Sequence, residues 1–388
     1  MNAHSPIATT TAIAAAERVE IVTSAARLAE IEPQWVALWQ QLDGLVFQSH
    51  AWIEAWWSTV PDRGSRALRI GLVWRGDRLV AVAPLATARR RGLRLLEWTA
   101  AGYTDYGDIL RSPECSTSAL RELWRNIRRS GGFDLIMLNR LLPGADVHVL
   151  TRVLEKSPLA LHHHHRQEAS FRVAGPFTTG TGWLESQSKK TRQNYRRGRK
   201  ELETAGPLHF RLLPSDEDLG PVLARVAELK RRWLQKQARQ SDLFAESGTT
   251  LAALIAALHK SRILRVFVLE CAGVVVAVSI NFVQHNTMMA FITTYDPQFE
   301  RASPGMLLMV DYIAWSIDSG LKLVDFLCGA EPFKLRFANQ SVVLSTVVAA
   351  RTPLGHAALA VDRLRETYRR SRDKAKPVKA SAEQPAED

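Results

Sequence analysis

The sequence predicts an α/β fold of mixed (α+β) sheets, built as two halves that share one element order. Three observations point there. Apolar residues alternate between helical and two-residue spacing along residues 18–370. The succession of strands, helix and strand in residues 18–180 returns in 207–352, an order that suggests internal duplication. The 388 residues are 46% hydrophobic and 23% charged, an ordinary globular composition with length for two cores.

Residues 1–17 are rich in Ala and Thr without a period and are read as disordered, as is the polar tail 371–388. Apolar positions three and four apart predict helices over 25–42 and 51–59. A hairpin of 67–74 and 79–86 follows, turned by Arg75-Gly76-Asp77-Arg78. Strands over 94–98 and 107–110, a helix over 118–129 and a strand over 133–138 complete the first half. One helix over 183–204, within a connecting segment 181–206, joins the halves. The second half opens with a strand over 208–213 and helices over 216–236 and 249–259. Strands over 264–270 and 274–283 pair about Ala272-Gly273, and a third runs over 288–294. A helix over 304–319, a strand over 323–327 and a last helix over 353–370 finish the chain.

The formal charge is +12, and Lys189 to Lys200 holds seven basic residues and no acid. Such a segment attracts polyanions, whether nucleic acid, anionic lipid or CoA-like phosphates, and charge alone does not choose among them. Cys115, Cys271 and Cys328 are far apart and odd in number, which argues against a disulfide framework and a paired-cysteine zinc site. His162 to His165 would point two rings each way on a strand, with no other ligands at useful spacing, so no metal is expected. The start lacks a secretory pattern and no run approaches the ~20 apolar residues that span a bilayer. A cytoplasmic protein is expected, with peripheral attachment to the inner membrane as the alternative.

The chemistry concentrates near the end. Pro304 suits a first helical position and Ser303 suits the cap before it, while Gly305 and Met306 would offer backbone N–H groups to an anion. Tyr295 and Asp296 close the preceding strand, and Asp325, Glu331 and Lys334 follow the helix. No cysteine or serine nucleophile with a histidine partner can be assembled.

Tyr295-Asp-Pro through Ser303-Pro-Gly, then Asp325-Phe-Leu-x-Gly-x-Glu-x-x-Lys334, resembles the GNAT-type acetyltransferase domain of the CelD group of cellulose biosynthesis. It is distantly similar to Fem-type aminoacyltransferases, in which two GNAT-like domains share a chain, and the resemblance covers roughly 20–350. What it implies is two tandem GNAT-like domains joined by a basic helix. Acyl transfer from acyl-CoA, acetyl-CoA foremost, to an amine or hydroxyl of a sugar or exopolysaccharide precursor would be the activity. The alternatives are an aminoacyl-tRNA donor, as in Fem-type enzymes, or a silent accessory of a polysaccharide-synthesis complex. By this resemblance Lys334 stabilises the oxyanion, with Glu331 and Asp325 orienting the acceptor or taking its proton; the alternative for Asp325, mid-strand among apolar neighbours, is a buried role fixing a loop by accepting backbone N–H groups. Ser303, Pro304, Gly305 and Met306 would hold the CoA phosphates. Tyr295, Asp296, Tyr106 and Asp105 would bind substrate, as would Arg192 and Arg196 from one face of the basic helix. The stretch Glu300 to Met306 departs from the GNAT phosphate loop in having one glycine and a proline without an N–H.

Overall fold

In the computed structural model, which describes residues 16–158, 160–236, 249–259 and 261–375, Pro84 divides the second strand of the expected hairpin between two sheets. The chain opens with β1 (Glu17–Val22), α1 (Ala25–Glu30), α2 (Glu32–Gln41) and α3 (His50–Thr59). Then come β2 (Ala67–Leu68), β3 (Ile70–Arg75), β4 (Arg78–Ala83), β5 (Leu85–Arg90), β6 (Leu93–Trp98) and β7 (Leu110–Arg111). α4 (Thr117–Ser130), β8 (Leu135–Leu141), α5 (Val147–Leu154), β9 (His162–His163) and β10 (Glu168–Ala174) follow. α6 (Gly180–Ser186) and α7 (Lys189–Glu203) lead to β11 (Leu208–Leu212), α8 (Gly220–Lys236) and α9 (Thr249–His259). The rest is β12 (Leu264–Cys271), β13 (Val274–Gln284), β14 (Thr287–Tyr295), α10 (Pro304–Asp318), β15 (Leu323–Cys328), α11 (Pro332–Phe337), β16 (Gln340–Ala350) and α12 (Pro353–Ala375).

β3 and β4 form the expected hairpin inside a small sheet ordered β1-β3-β4-β7, while β5 leaves it to pair with β2 and β6. The other strands make one sheet ordered β11-β12-β13-β14-β15-β10-β16-β8-β6-β5-β2, with β9 beside β16. β16 is the seam. Its residues Gln340 to Leu344 pair with β10, and Ser345 to Ala350 pair with β8 of the first half.

Several local expectations are corrected. The helix expected over 25–42 breaks at Ile31, ahead of Pro33, whose ring suits the first turn of α2. The connecting helix is two, because Gln187 takes extended backbone and the Ser188 hydroxyl accepts from Thr191 N–H to start α7 afresh. Residues 107–109 are not strand: a Cβ on Gly107 would lie 2.0 Å from Trp98 Nε1, so the glycine makes room for the indole. Of the termini read as disordered, residue 17 begins β1 and 371–375 belong to α12; 1–15 and 376–388 lie outside the described residues. β1, α5, β9, β10, α11 and β16 are additional to the expected elements. Among the described residues no helix is long and apolar enough to cross a membrane.

The duplication shows in two strand–helix–strand units. β6, α4 and β8 form one, with β6 and β8 parallel; β14, α10 and β15 form the other, with β14 and β15 parallel. Both second strands carry a left-handed residue at a bulge, Arg140 at φ 58° and Leu327 at φ 58°. In each, the parallel pairing is brief and the strands then diverge. One core is shared by the halves, where Trp52 and Phe47 meet Phe282 with ring centroids 5.8 and 6.1 Å apart.

Candidate active site

A cleft opens where β14 and β15 part. Their pairing stops at Met289 and Asp325. Directly beyond, Ile280 pairs with Ile292 and Asn281 with Ala290, so Phe291 is an extra residue that bends β14 away. The bend is anchored by the first half, because the Phe291 ring packs on Trp52 at 5.6 Å and on Phe47 at 6.4 Å. On the other side β15 bulges at Leu327, whose N–H donates to Asp325 Oδ1 at 2.8 Å. The resulting cavity holds about 500 Å³ and is lined by Thr293, Thr294 and Tyr295 on one side and Cys328, Glu331 and Lys334 on the other.

The equivalent divergence in the first half is closed. Trp98 Nε1 donates across it to the Asn139 carbonyl at 3.0 Å. Trp98, Trp124 and Leu138 leave a residual space of about 10 Å³. Of the two divergences, the one between β6 and β8 is thus filled by an indole and the one between β14 and β15 is open.

Lys334 lies in the wall of the cleft, on α11 and not on a strand. It is 7% exposed, and Nζ donates to the Cys328 carbonyl at 2.6 Å and lies 2.9 Å from Glu331 Oε2. Glu331 precedes α11 and keeps half its side chain in solvent. The first half supplies the facing groups: Tyr103, Asp105 and Arg140 all line the cleft. Arg140 Nη1 lies 3.2 Å from Asp105 Oδ1, and burial pushes the Asp105 carboxyl up to about 6 against the pull of Arg140 and Lys334. Lys230 of α8 also lines the cleft, its ammonium lowered to about 8 by burial, with Glu331 opposing. The Cys328 thiol donates to Glu168 Oε2 at 3.0 Å and is pushed up to about 12, chiefly by burial, so it stays protonated near neutral pH.

Other expected residues stand elsewhere. Asp325 is 2% exposed and faces away from the cleft: the Tyr106 hydroxyl donates to both its oxygens at 2.9 and 2.8 Å, and Arg172 Nε lies 2.9 Å from Oδ2. Tyr106 is thereby a tie between the halves, its hydroxyl made less acidic by burial and by Asp325. Asp296 is buried, accepts from Gln298 N–H at 3.0 Å and from Arg225 Nη2 at 2.6 Å, and so ends β14 instead of reaching the cleft. Asp108 accepts from the N–H groups of Asp146 and Val147 and holds the start of α5, with burial raising its carboxyl to about 7.

Ser303 precedes α10 as expected but takes left-handed backbone and makes no side-chain cap. Its carbonyl already receives the N–H groups of Met306 and Leu307, at 2.9 and 3.1 Å. Ser303, Pro304, Gly305 and Met306 are not in the cleft wall. Gly305 backs onto it, since a Cβ there would lie 3.0 Å from Tyr295 Cδ1. Arg192 and Arg196 do not line the cleft either, because α7 packs across α10: the Tyr195 hydroxyl donates to Asp311 Oδ1 at 2.5 Å. Gly198 permits that approach, as a Cβ would lie 2.4 Å from the Ala302 carbonyl oxygen. Gly198→Val is accordingly expected to destabilise the fold by about 1 to 3 kcal/mol, the usual cost of overpacking, read as a lower urea midpoint.

Sequence reasoning misses Arg140 and Lys230. A left-handed arginine in a strand leaves no mark in composition, and Lys230 sits among other basic helix residues that face solvent.

Residues 189–335 match the Acetyltransferase (GNAT) domain family. Over these residues the fold is GNAT-like. Solved structures of similar fold include FemX, at 11% identity and TM-score 0.55 over 79% of this chain and 95% of that one. L-PGS from Bacillus licheniformis is similar at 11% identity and TM-score 0.53, over 86% of this chain and 95% of that one. At such identities the likeness concerns the fold alone. No curated protein matches the sequence.

Proposed function

We propose that the protein is an acyltransferase whose second half moves an acyl group, acetyl foremost, from acyl-CoA to an amine or hydroxyl of a sugar or envelope polysaccharide precursor. The observation that carries this is the contrast between two divergent strand pairs, one closed by Trp98 and one open over about 500 Å³ and walled by ionisable groups. From Ala290 onward β14 is paired with β13 alone, so backbone groups on its cleft side are available to the amides of a pantetheine arm. The phosphate end fits the α10 start less well, since Pro304 has no N–H and the amides of Met306 and Leu307 are engaged. Its charge then falls to side chains near the Gly198–Ala302 contact, where Arg197, Lys200 and Arg301 are exposed. Tyr103 and the 40% exposed Phe333 put aromatic faces at the cleft, which suits a sugar ring.

In this reading the acceptor attacks the thioester carbonyl and Asp105 takes the proton that the amine or hydroxyl sheds. The new C–N or C–O bond forms, the C–S bond breaks, and the thiolate leaves to be protonated by solvent. Lys334 commits two of its three N–H bonds to Cys328 and Glu331 and presents the third to the developing oxyanion. A carboxyl that titrates at about 6 is charged at neutrality yet still accepts a proton. Activity is therefore expected to rise with pH through about 6 and then level, and Asp105→Asn is expected to abolish that limb. The same carboxyl, raised in the fold from its ordinary 3.8 to about 6, costs stability as pH climbs between those values. Asp105→Asn should thus melt no lower than the parent at neutral pH, which separates loss of chemistry from loss of fold.

The deciding measurement is a thermal-shift series with acetyl-CoA, longer acyl-CoAs, UDP-sugars and aminoacyl-tRNA, followed by assay of CoA release. A donor at about a hundred times its Kd stabilises the fold by about 2.7 kcal/mol. A shift with aminoacyl-tRNA and none with any CoA would replace the donor. No shift with either would leave the accessory reading. The tRNA reading has one observation in its favour, the exposed Lys189, Lys190, Arg196, Arg197 and Lys200 of α7, and it requires binding that weakens steeply with salt.

A further inference from the structure

The histidine run lies away from the cleft. β9 ends at His163 and the chain turns, with His164 N–H on the Thr346 carbonyl, so that adjacent residues His164 and His165 present Nε2 to the same face of α12. That face carries Asp362 and, one turn on, Glu366. His164 Nε2 is 2.8 Å from Asp362 Oδ2, His165 Nε2 is 3.4 Å from the same oxygen, and His165 Nε2 is 3.8 Å from Glu366 Oε2. In a tetrahedral zinc site with bonds of about 2.1 Å, ligand atoms stand about 3.4 Å apart. One ligand atom from each of His164, His165 and Asp362 lies within 4.8 Å of the others.

We propose that His164, His165 and Asp362 bind a divalent transition ion, zinc foremost, with Glu366 or water as the fourth ligand, and that the ion fastens α12 to the body of the protein. Two imidazoles and a carboxylate are the donor set of borderline-soft zinc, and magnesium or calcium would prefer oxygen alone. The surroundings resemble an outer shell, because Arg166 Nη2 holds the other oxygen of Asp362 at 2.5 Å. Three contacts must yield. The 2.8 Å hydrogen bond between His164 Nε2 and Asp362 Oδ2 is lost as both atoms turn to the ion. The exposed Arg369, which pairs with Glu366 at 3.0 Å, has to release it where Glu366 is the fourth ligand. The 3.2 Å bond from Arg166 N–H to His164 Nδ1 is lost as the His164 proton moves from Nε2 to Nδ1.

The test is titration of the full chain with zinc chloride against a chromophoric chelator, with melting followed in parallel. One zinc per chain and a raised melting temperature are expected. Asp362→Ala keeps all four imidazoles of the run and is expected to weaken binding by about tenfold or more, as is His165→Ala, while His162→Ala leaves it unchanged. Zinc bound equally by the parent and by folded Asp362→Ala would mean that the imidazole run binds it without α12, and would overturn the proposal. So would no binding by the parent. Should Asp362→Ala fail to fold, the partly exposed His165 carries the same comparison. The site shares no residue with the cleft, so its outcome is independent of the acyltransferase reading.

Discussion

Asp325→Ala is expected to destabilise the fold by about 3 to 5 kcal/mol, the range for removing one partner of a buried ion pair. The carboxylate is 2% exposed and meets the Tyr106 hydroxyl, the Leu327 N–H and the Arg172 guanidinium at once. Without it the partly buried Arg172 loses its partner, the tie to the first half is cut, and the left-handed Leu327 loses the acceptor that holds its bulge. Asp325→Asn keeps the shape and one acceptor oxygen, so a smaller loss is expected. Urea unfolding measures both, and a midpoint for Asp325→Ala equal to the parent's would refute this role.

Lys334→Met is expected to lower kcat for acyl transfer by about 10² to 10³, the usual effect of removing one oxyanion donor. The methionine retains much of the buried stem and discards the charge, so the donor should still bind. The checks are donor affinity by calorimetry and turnover by CoA release. Loss of affinity with kcat preserved would make Lys334 a binding group instead.

Much of the second half was legible in the sequence, because its elements are long and strongly patterned. β12, β13, β14, α10 and β15 lie close to their expected ranges, and Pro304 begins its helix as proline at a first helical position should. Lys334 and Glu331 do reach one cleft. The misses have separate causes. Asp296 and Tyr106 belong to the right region but face buried partners, and the side on which a strand residue points past a bulge does not follow from alternation, while Asp325 takes the loop-fixing place that was its alternative. For Arg192 and Arg196, helical spacing gives a face but not what the face meets.

By itself the sequence determined the mixed α/β class, the repeated element order, the basic helix and the cluster of polar residues after α10, since all of these rest on local periodicity and propensity. Tertiary structure alone decided which divergent strand pair stays open, that Asp105 and Arg140 of one half complete the wall of the other, and that His164 and His165 meet Asp362 from the far end of the chain. Those outcomes depend on long-range packing: an indole fills one gap, a bulge opens the other, and β16 binds the two halves into one sheet.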